Sequence, residues 1–279
     1  MLLSVLVPTY NEEKTIVKVI EGIKKVVNIP YEIIVIDDGS TDRTAELVKT
    51  QKVFLIPHPQ NCGYSSALKS GLRAAKGDYV LIIDGDNTYP TDAIPSLLEH
   101  IPAFDMVVGA RQGGNTPLLR RPAKIMLGIL ANYLANTKIP DLNSGLRVFK
   151  KDLAMEFMHL YPPKWSFTVT ITLAFFTNGY TIKYVPINYL KREAKSTVKA
   201  TDFVDFINLI LRITTYFNPF KIFSTVSAFL MLFAFLIFLY SSLLLHKIMD
   251  VTIVVITLTA LQVFLSGLIA DLIVKSRRV

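Results

Sequence analysis

The sequence predicts a mixed α/β domain on a mostly parallel sheet, followed by a hairpin of two membrane-spanning helices. Three observations predict it. Short apolar runs alternate with amphipathic helical stretches through the first half of the chain, the pattern of β-α-β units. Those runs are continuously apolar, as strands are when a sheet is covered on both faces. The last 60 or so residues are almost uninterrupted apolar sequence.

The elements follow in order. Leu2 to Val7 is a first strand stopped by Pro8, and it lacks the basic leader of a signal peptide. Asn11, with Glu12 and Glu13 behind it, reads as the cap of a helix running to about Val27, with Ile16, Val19, Ile20, Ile23 and Val27 on one face. Tyr31 to Ile36 is a second strand ending in Asp37-Asp38-Gly39-Ser40, and Ser40 or Thr41 caps the helix that follows to about Lys49. Lys52 to Ile56 is a third strand. Asn61-Cys62-Gly63-Tyr64-Ser65 opens a helix to Ala75, and Gly77 breaks it. Tyr79 to Ile83 is a fourth strand that delivers Asp84-Gly85-Asp86 to the sheet edge. Asp92 to His100 is a short helix and Asp105 to Gly109 a fifth strand.

In such sheets ligands bind beyond the carboxyl ends of the strands. Glu12, Asp37, Asp38, Asp84 and Asp86 sit at three of those ends, so they are expected to converge in one crevice. Neither GxGxxG nor GxxxxGK[ST] is present, which disfavours a dinucleotide dehydrogenase or a P-loop enzyme. A nucleotide site built from carboxylates needs a divalent cation against the phosphates, and Asp84 with Asp86 offers the ligands for one. The net charge of +8 favours anionic partners, but the basic residues are scattered, so nucleic acid is not expected. The four histidines show no ligand spacing and read as structural, and the single cysteine, Cys62, excludes an intrachain disulfide.

Pro8-Thr9-Tyr10-Asn11-Glu12, Val35 to Asp42 and Asp84-Gly85-Asp86 together resemble the signature of family 2 glycosyltransferases with the GT-A fold. The resemblance implies that Pro8, Tyr10, Glu12, Asp37, Asp38 and Asp84 bind the donor nucleotide. It implies that Asp84 and Asp86 act in catalysis and hold Mg²⁺ or Mn²⁺. Thr88 stands where some relatives carry glutamine, which leaves the remaining metal ligands to substrate and water. No Q-x-x-R-W follows, which disfavours processive chain growth.

The second half extends the resemblance. Ile125 to Leu134 and Trp165 to Asn178 read as helices, and Ile182 to Leu190 as a strand placed at an edge by Pro186. Asp141-Leu142-Asn143-Ser144-Gly145-Leu146-Arg147-Val148-Phe149 and the stretch Arg192 to Ser196 resemble segments of the polyprenyl-phosphate sugar synthases, the group that includes dolichyl-phosphate mannose synthase. Arg and Lys are the natural receptors of a lipid phosphate, and Arg111 and Arg121 are expected to hold that acceptor; the likeness implies phosphate- or acceptor-binding roles for Ser144, Arg147, Arg192, Lys195 and Ser196. The last three face either the acceptor or the donor diphosphate.

Asp202 to Phe217 carries an apolar stripe at helical spacing and reads as an amphipathic helix at a membrane interface. Ile222 to Leu245 is about 24 residues without a charge, and Val251 to Val274 is similar apart from Asp271; a span needs about 20. Basic residues crowd both outer ends, which places them, and the preceding domain, in the cytoplasm. The expected division is a catalytic domain over 1–200, an interface helix over 201–220 and the hairpin over 221–279, with copies able to associate through the hairpin.

The combined expectation is a metal-dependent, inverting transfer of a hexose from a nucleotide sugar to dolichyl or polyprenyl phosphate. GDP-mannose, UDP-glucose and UDP-N-acetylglucosamine all remain open as donors. The alternatives are transfer to a glycolipid hydroxyl, a non-catalytic membrane subunit, and a channel or flippase built from the hairpin. The last is weakened by the lack of intramembrane polar pairs.

Overall fold

In the computed structural model, residues 1–112, 121–163, 166–190, 211–213, 215–243 and 250–276 are described. The chain separates into two compact units, Met1–Ala200 and Thr201–Val279.

The first unit is a seven-stranded sheet with helices. Its strands are β1 (Leu3–Thr9), β2 (Tyr31–Asp37), β3 (Phe54–Pro57), β4 (Tyr79–Ile82), β5 (Met106–Gln112), β6 (Arg147–Lys150) and β7 (Ile182–Asn188). They lie in the order β3-β2-β1-β4-β6-β5-β7. Every pairing is parallel except those of β6, which runs antiparallel between β4 and β5. All seven residues of β1 are buried, as its apolar run requires of a central strand. β7 ends the sheet, with Pro186 opposite Ala110; Pro186 has no N–H to give a further strand.

The helices are α1 (Ile16–Val26), α2 (Thr44–Lys49), α3 (Tyr64–Ala74), α4 (Ile94–Leu98, after a 3₁₀ turn at Thr91–Ala93), α5 (Arg121–Ala135), α6 (Lys151–Glu156) and α7 (Phe167–Thr177). α1 buries Ile16, Val19, Ile20 and Ile23 in one core with Val5, Val7, Val35 and Leu81. Each such side chain contributes roughly 1.5–3 kcal/mol of burial.

Two expected caps are corrected. Asn11 lies outside α1, in a left-handed conformation (φ 56°), and its Oδ1 accepts from the Thr41 N–H at 2.8 Å. It thus joins the loop after β1 to the loop after β2. Neither Ser40 nor Thr41 caps α2. Asp42 accepts from the Thr44 N–H at 2.9 Å, while Ser40 Oγ accepts from the Asn11 N–H.

The second unit contains α8 (Pro219–Leu243) and α9 (Asp250–Ser276). Only 11% of the most apolar window of each is buried, unlike a core helix of a soluble domain. At 25 and 27 residues, each is about 37 Å or more long, enough for a hydrocarbon layer of about 30 Å. They pack through Phe220 on Phe264, ring centres 5.8 Å apart, and a 2.7 Å hydrogen bond from Ser227 Oγ to the Ala260 carbonyl. Most of the expected interface helix, 202–210, lies outside the described residues, as do the turn at 246–249 and residues 277–279; 211–213 and 215–217 are helical.

Candidate active site

β1 lies between β2 and β4, and their carboxyl ends are tied together. The Asp38 N–H donates to the Thr9 carbonyl at 2.9 Å, and the Gly85 N–H to the Pro8 carbonyl at 3.3 Å. Beyond these ends opens a crevice of 260 Å³. Pro8, Thr9, Tyr10 and Glu12 line it from the β1 end, Asp84, Gly85 and Asp86 from the β4 end, Asp38 from behind β2, and Asn61, Gly63 and Tyr64 from the entry to α3. Glu12, Asp38, Asp84 and Asp86 therefore converge. Asp37 does not line the crevice; it is buried and its Oδ1 accepts from the Ser40 N–H, holding the turn.

That turn needs Gly39, which has φ +76° and no room for a Cβ against the Gln60 backbone. The close approach lets Asp38 grip the loop before α3. Its Oδ1 accepts from the Cys62 N–H at 3.0 Å and its Oδ2 from the Gly63 N–H at 2.7 Å. His58 Nδ1 stands 2.7 Å from Oδ1, and its Nε2 stands 2.9 Å from Ser70 Oγ. Asp38, His58 and Cys62 place one potential metal-ligand atom each within 4.8 Å of one another. Both ring nitrogens of His58 are already engaged, so the cluster serves the loop.

Asp84 and Asp86 are each held. The Tyr64 hydroxyl donates to Asp84 Oδ1 at 2.9 Å. Burial, then the neighbouring Asp84 charge, pushes the Tyr64 phenol well above its usual pKa, so it remains a donor. On the other side Asp84 packs against Gly145, whose N–H donates to the Tyr89 hydroxyl at 2.6 Å. Asp86 Oδ1 accepts from the Thr88 N–H at 3.0 Å and from Thr88 Oγ1 at 2.6 Å. Thr88 therefore orients Asp86. Two carboxylates on one wall of a crevice are the oxygen donor set that a hard divalent cation takes.

The basic residues expected to hold phosphate separate. Arg111, at the end of β5, pairs with Asp141 through Nε at 2.7 Å and Nη2 at 2.9 Å, and its guanidinium lies over the Tyr189 ring at 5.2 Å. Burial alone lifts a carboxyl pKa, but the bonds from Arg111 outweigh it and hold Asp141 below its usual range. Arg147 is fully buried. Its Nε donates to the Ser144 carbonyl at 3.1 Å, and Nη1 to the Thr168 carbonyl and Thr172 Oγ1 at 3.1 and 2.9 Å. Its guanidinium staples β6 to α7, out of reach of a lipid phosphate. Ser144 is also buried, with its hydroxyl donating to the Gly109 carbonyl. Arg192, Lys195 and Ser196 lie outside the described residues, as does the side chain of Arg121.

Sequence reasoning missed Tyr64 and Gly145 as parts of the site. The signal for Tyr64 was its place directly after Gly63 at a helix start facing the crevice. Gly145 lay within the Asp141–Phe149 segment of the resemblance, but nothing local pointed to its neighbour Asp84, which comes from a distant strand.

The profile of "Glycosyl transferase family 2" matches residues 4–157. The chain is 30% identical over 203 residues to the dolichyl-phosphate hexose transferase of Haloferax volcanii, covering 70% of this chain and 85% of the relative. It is 26% identical over 246 residues to the undecaprenyl-phosphate 4-deoxy-4-formamido-L-arabinose transferase of Pectobacterium carotovorum, covering 84% and 73%. Among solved structures, glucosyl-3-phosphoglycerate synthase from Mycobacterium tuberculosis, in complex with Mn²⁺, UDP and glucosyl-3-phosphoglycerate, superposes with a TM-score of 0.60. The identity is 20%, over 76% of this chain and 78% of that one. This likeness speaks for the fold, and bears out the GT-A expectation.

Proposed function

The chain belongs to glycosyl transferase family 2, and from that premise we propose that it moves a hexose from a nucleotide sugar to a polyprenyl phosphate. The observation that carries this reading is the meeting of Glu12, Asp38, Asp84 and Asp86, from three strand ends, in one crevice. The names of the relatives, lipid-phosphate sugar transferases, support the acceptor class. The apolar helices α8 and α9 support a membrane location for it. The proposed division is a catalytic domain over 1–200, an interface helix over 201–220 and a membrane hairpin over 221–279.

The donor nucleotide is assigned to the crevice. Tyr10 is exposed at its rim and offers a flat face to the base. Pro8, Glu12 and Asp38 offer backbone and carboxylate acceptors to base and ribose, and Asp37 supports them through its turn. Asp84 and Asp86 would hold the divalent cation. A divalent cation held there, Mg²⁺ or Mn²⁺, would supply charge neutralisation of the diphosphate and of the departing nucleoside diphosphate.

The acceptor chemistry asks little proton handling of the protein. A phosphomonoester has its second pKa near ~6 and is largely dianionic at neutral pH. Positioning and cationic side chains suffice to bring it to the anomeric carbon. One direct displacement inverts that centre, giving a β-linked product from an α-linked donor. A hydroxyl acceptor would need a base, and Asp141, locked to Arg111 below the usual carboxyl range, is a poor one. Arg111 keeps Nη1 outside its pairing with Asp141 and is assigned to the acceptor phosphate with Arg121. Arg192, Lys195 and Ser196 are assigned to one of the two phosphate groups.

The outer face of α5 supports a lipid acceptor. Ile125, Met126, Ile129 and Tyr133 are exposed there, while Leu127, Ala131 and Leu134 face the core. A helix apolar on both faces is at odds with water and suits a bilayer surface.

The experiment is transfer of radiolabelled sugar from GDP-mannose, UDP-glucose or UDP-N-acetylglucosamine to dolichyl or undecaprenyl phosphate in vesicles, with MnCl₂ or with EDTA. The expected result is a labelled lipid product from one donor, absent with EDTA. Release of free sugar alone, or no lipid product from any pair, would overturn the reading.

A further inference from the structure

We propose that Tyr64 is a positioning residue that sets the Asp84 carboxylate, coupling it to the loop gripped by Asp38; this rests on the donor and metal reading above. Asp38 fixes the backbone of Cys62 and Gly63 through their N–H groups, at 3.0 and 2.7 Å. The next residue is Tyr64, whose hydroxyl donates to Asp84 Oδ1 at 2.9 Å. One peptide unit thus links the acid after β2 to the acid after β4.

The link is stiff. Tyr64 opens α3, which buries Ala67, Leu68, Gly71 and Leu72. The buried Ser65 Oγ accepts from the Phe167 N–H at 3.1 Å, pinning this end of α3 to α7. A phenol on such a base cannot follow a moving carboxylate. It selects one Asp84 orientation, and the neighbouring Gly145 backbone bounds the other side. A cation ligand must present its oxygen at a fixed place, and a hydrogen bond to a charged acceptor is a strong means of fixing it. A leucine or phenylalanine here would pack on α3 equally well without providing that bond.

The test uses the full-length protein in detergent, with Mn²⁺ uptake read from the free-ion paramagnetic resonance signal in the presence of UDP and, separately, GDP. Tyr64→Phe is expected to weaken Mn²⁺ binding about tenfold with whichever nucleotide supports it, the worth of one hydrogen bond to a charged group. The KM for Mn²⁺ should rise by a similar factor. The metal-free melting temperature should fall by no more than about 5 °C, the worth of that one bond. Unchanged Mn²⁺ binding, or a lower melting temperature with Mn²⁺ binding kept, overturns the proposal. If the phenylalanine variant is destabilised further, a cycle with Asp84→Ala, which removes the acceptor, decides. Action through Asp84 predicts a double variant no less stable than Asp84→Ala alone, and additive losses overturn it. Wild-type protein that takes up no Mn²⁺ with either nucleotide overturns instead the metal reading beneath the proposal.

Discussion

Asp84 and Gly145 approach so closely that a Cβ on the glycine would stand 2.6 Å from Oδ2 of the carboxylate. Gly145 cannot retreat, because its N–H is bonded to the Tyr89 hydroxyl and Tyr89 is buried. An added methyl therefore displaces Asp84. Misplacing a reacting group by about 1 Å costs on the order of 100-fold in rate. Gly145→Ala is expected to lower kcat by about that factor with an unchanged circular dichroism spectrum. Wild-type turnover would mean that Asp84 has slack.

Thr88 and Asp86 make the second pair. Two donors from Thr88 converge on one oxygen of Asp86, so Thr88→Val removes one of them at nearly constant volume. The expected loss in kcat/KM is roughly tenfold, with Thr88→Ser close to wild type. Asp86→Ala, which removes the carboxylate itself, should abolish transfer. A valine variant as active as the serine variant would show that the Thr88 hydroxyl is not needed to orient Asp86.

These contacts mark how far the sequence could be read. The ends of β1, β2 and β4 were legible because each is a continuous apolar run cut off by acids, a local pattern with a local cause. The two long C-terminal helices were legible for the same reason. β6 was not: its four residues, Arg147–Lys150, gain meaning only from pairing antiparallel with β4 and β5. Arg147 follows from that omission. Its charge is visible in the sequence, but its partners Thr168 and Thr172 lie on α7, and only the fold turns an expected phosphate ligand into an interior staple. Asn11 misled in a similar way. An asparagine before two acids resembles a helix cap, yet here it crosses to Thr41.

The Arg111–Asp141 pair makes a pH prediction. Asp141 has a folded-state pKa below its usual value of about 3.9, so the pair's stabilisation is complete above that value and is lost as pH falls through the folded pKa. Arg111→Ala leaves Asp141 enclosed without its cation and should cost roughly 2–4 kcal/mol near neutral pH. The variant should also lose less stability than wild type between pH 5 and about pH 3. Denaturant melts at both pH values check this. Asp141→Asn should keep the acid limb of the transfer rate profile, as expected if no proton passes through Asp141.

The outer face of α5 gives a membrane prediction. Met126 and Ile129 are 46% and 65% exposed, so changing both to glutamate places charge in water and should leave the fold intact. Transfer to polyprenyl phosphate in vesicles should fall several-fold, while transfer to a short, water-soluble prenyl phosphate should not change. Equal losses on both acceptors would assign the face to the protein rather than to the bilayer.

Orientation is the remaining prediction. Lys191, Arg192, Lys195, Lys199, Arg212 and Lys221 precede the uncharged span that begins at Ile222, Lys275, Arg277 and Arg278 follow the second span, and the turn carries only Lys247. One of these charges is partly offset, since Lys275 pairs with Asp271 at 2.7 Å. The asymmetry still stands, because the positive-inside rule counts basic residues near span ends and gives acids little weight. A C-terminal reporter that fluoresces only when folded in the cytoplasm should therefore be bright, and a tag inserted at 246–249 should be reachable only from the opposite face. Changing Lys275, Arg277 and Arg278 together to glutamine should not reverse the protein, since the larger basic cluster before the first span still holds that end inside. A dark C-terminal reporter in the wild-type chain would place the catalytic domain on the wrong side for a nucleotide sugar made in the cytoplasm.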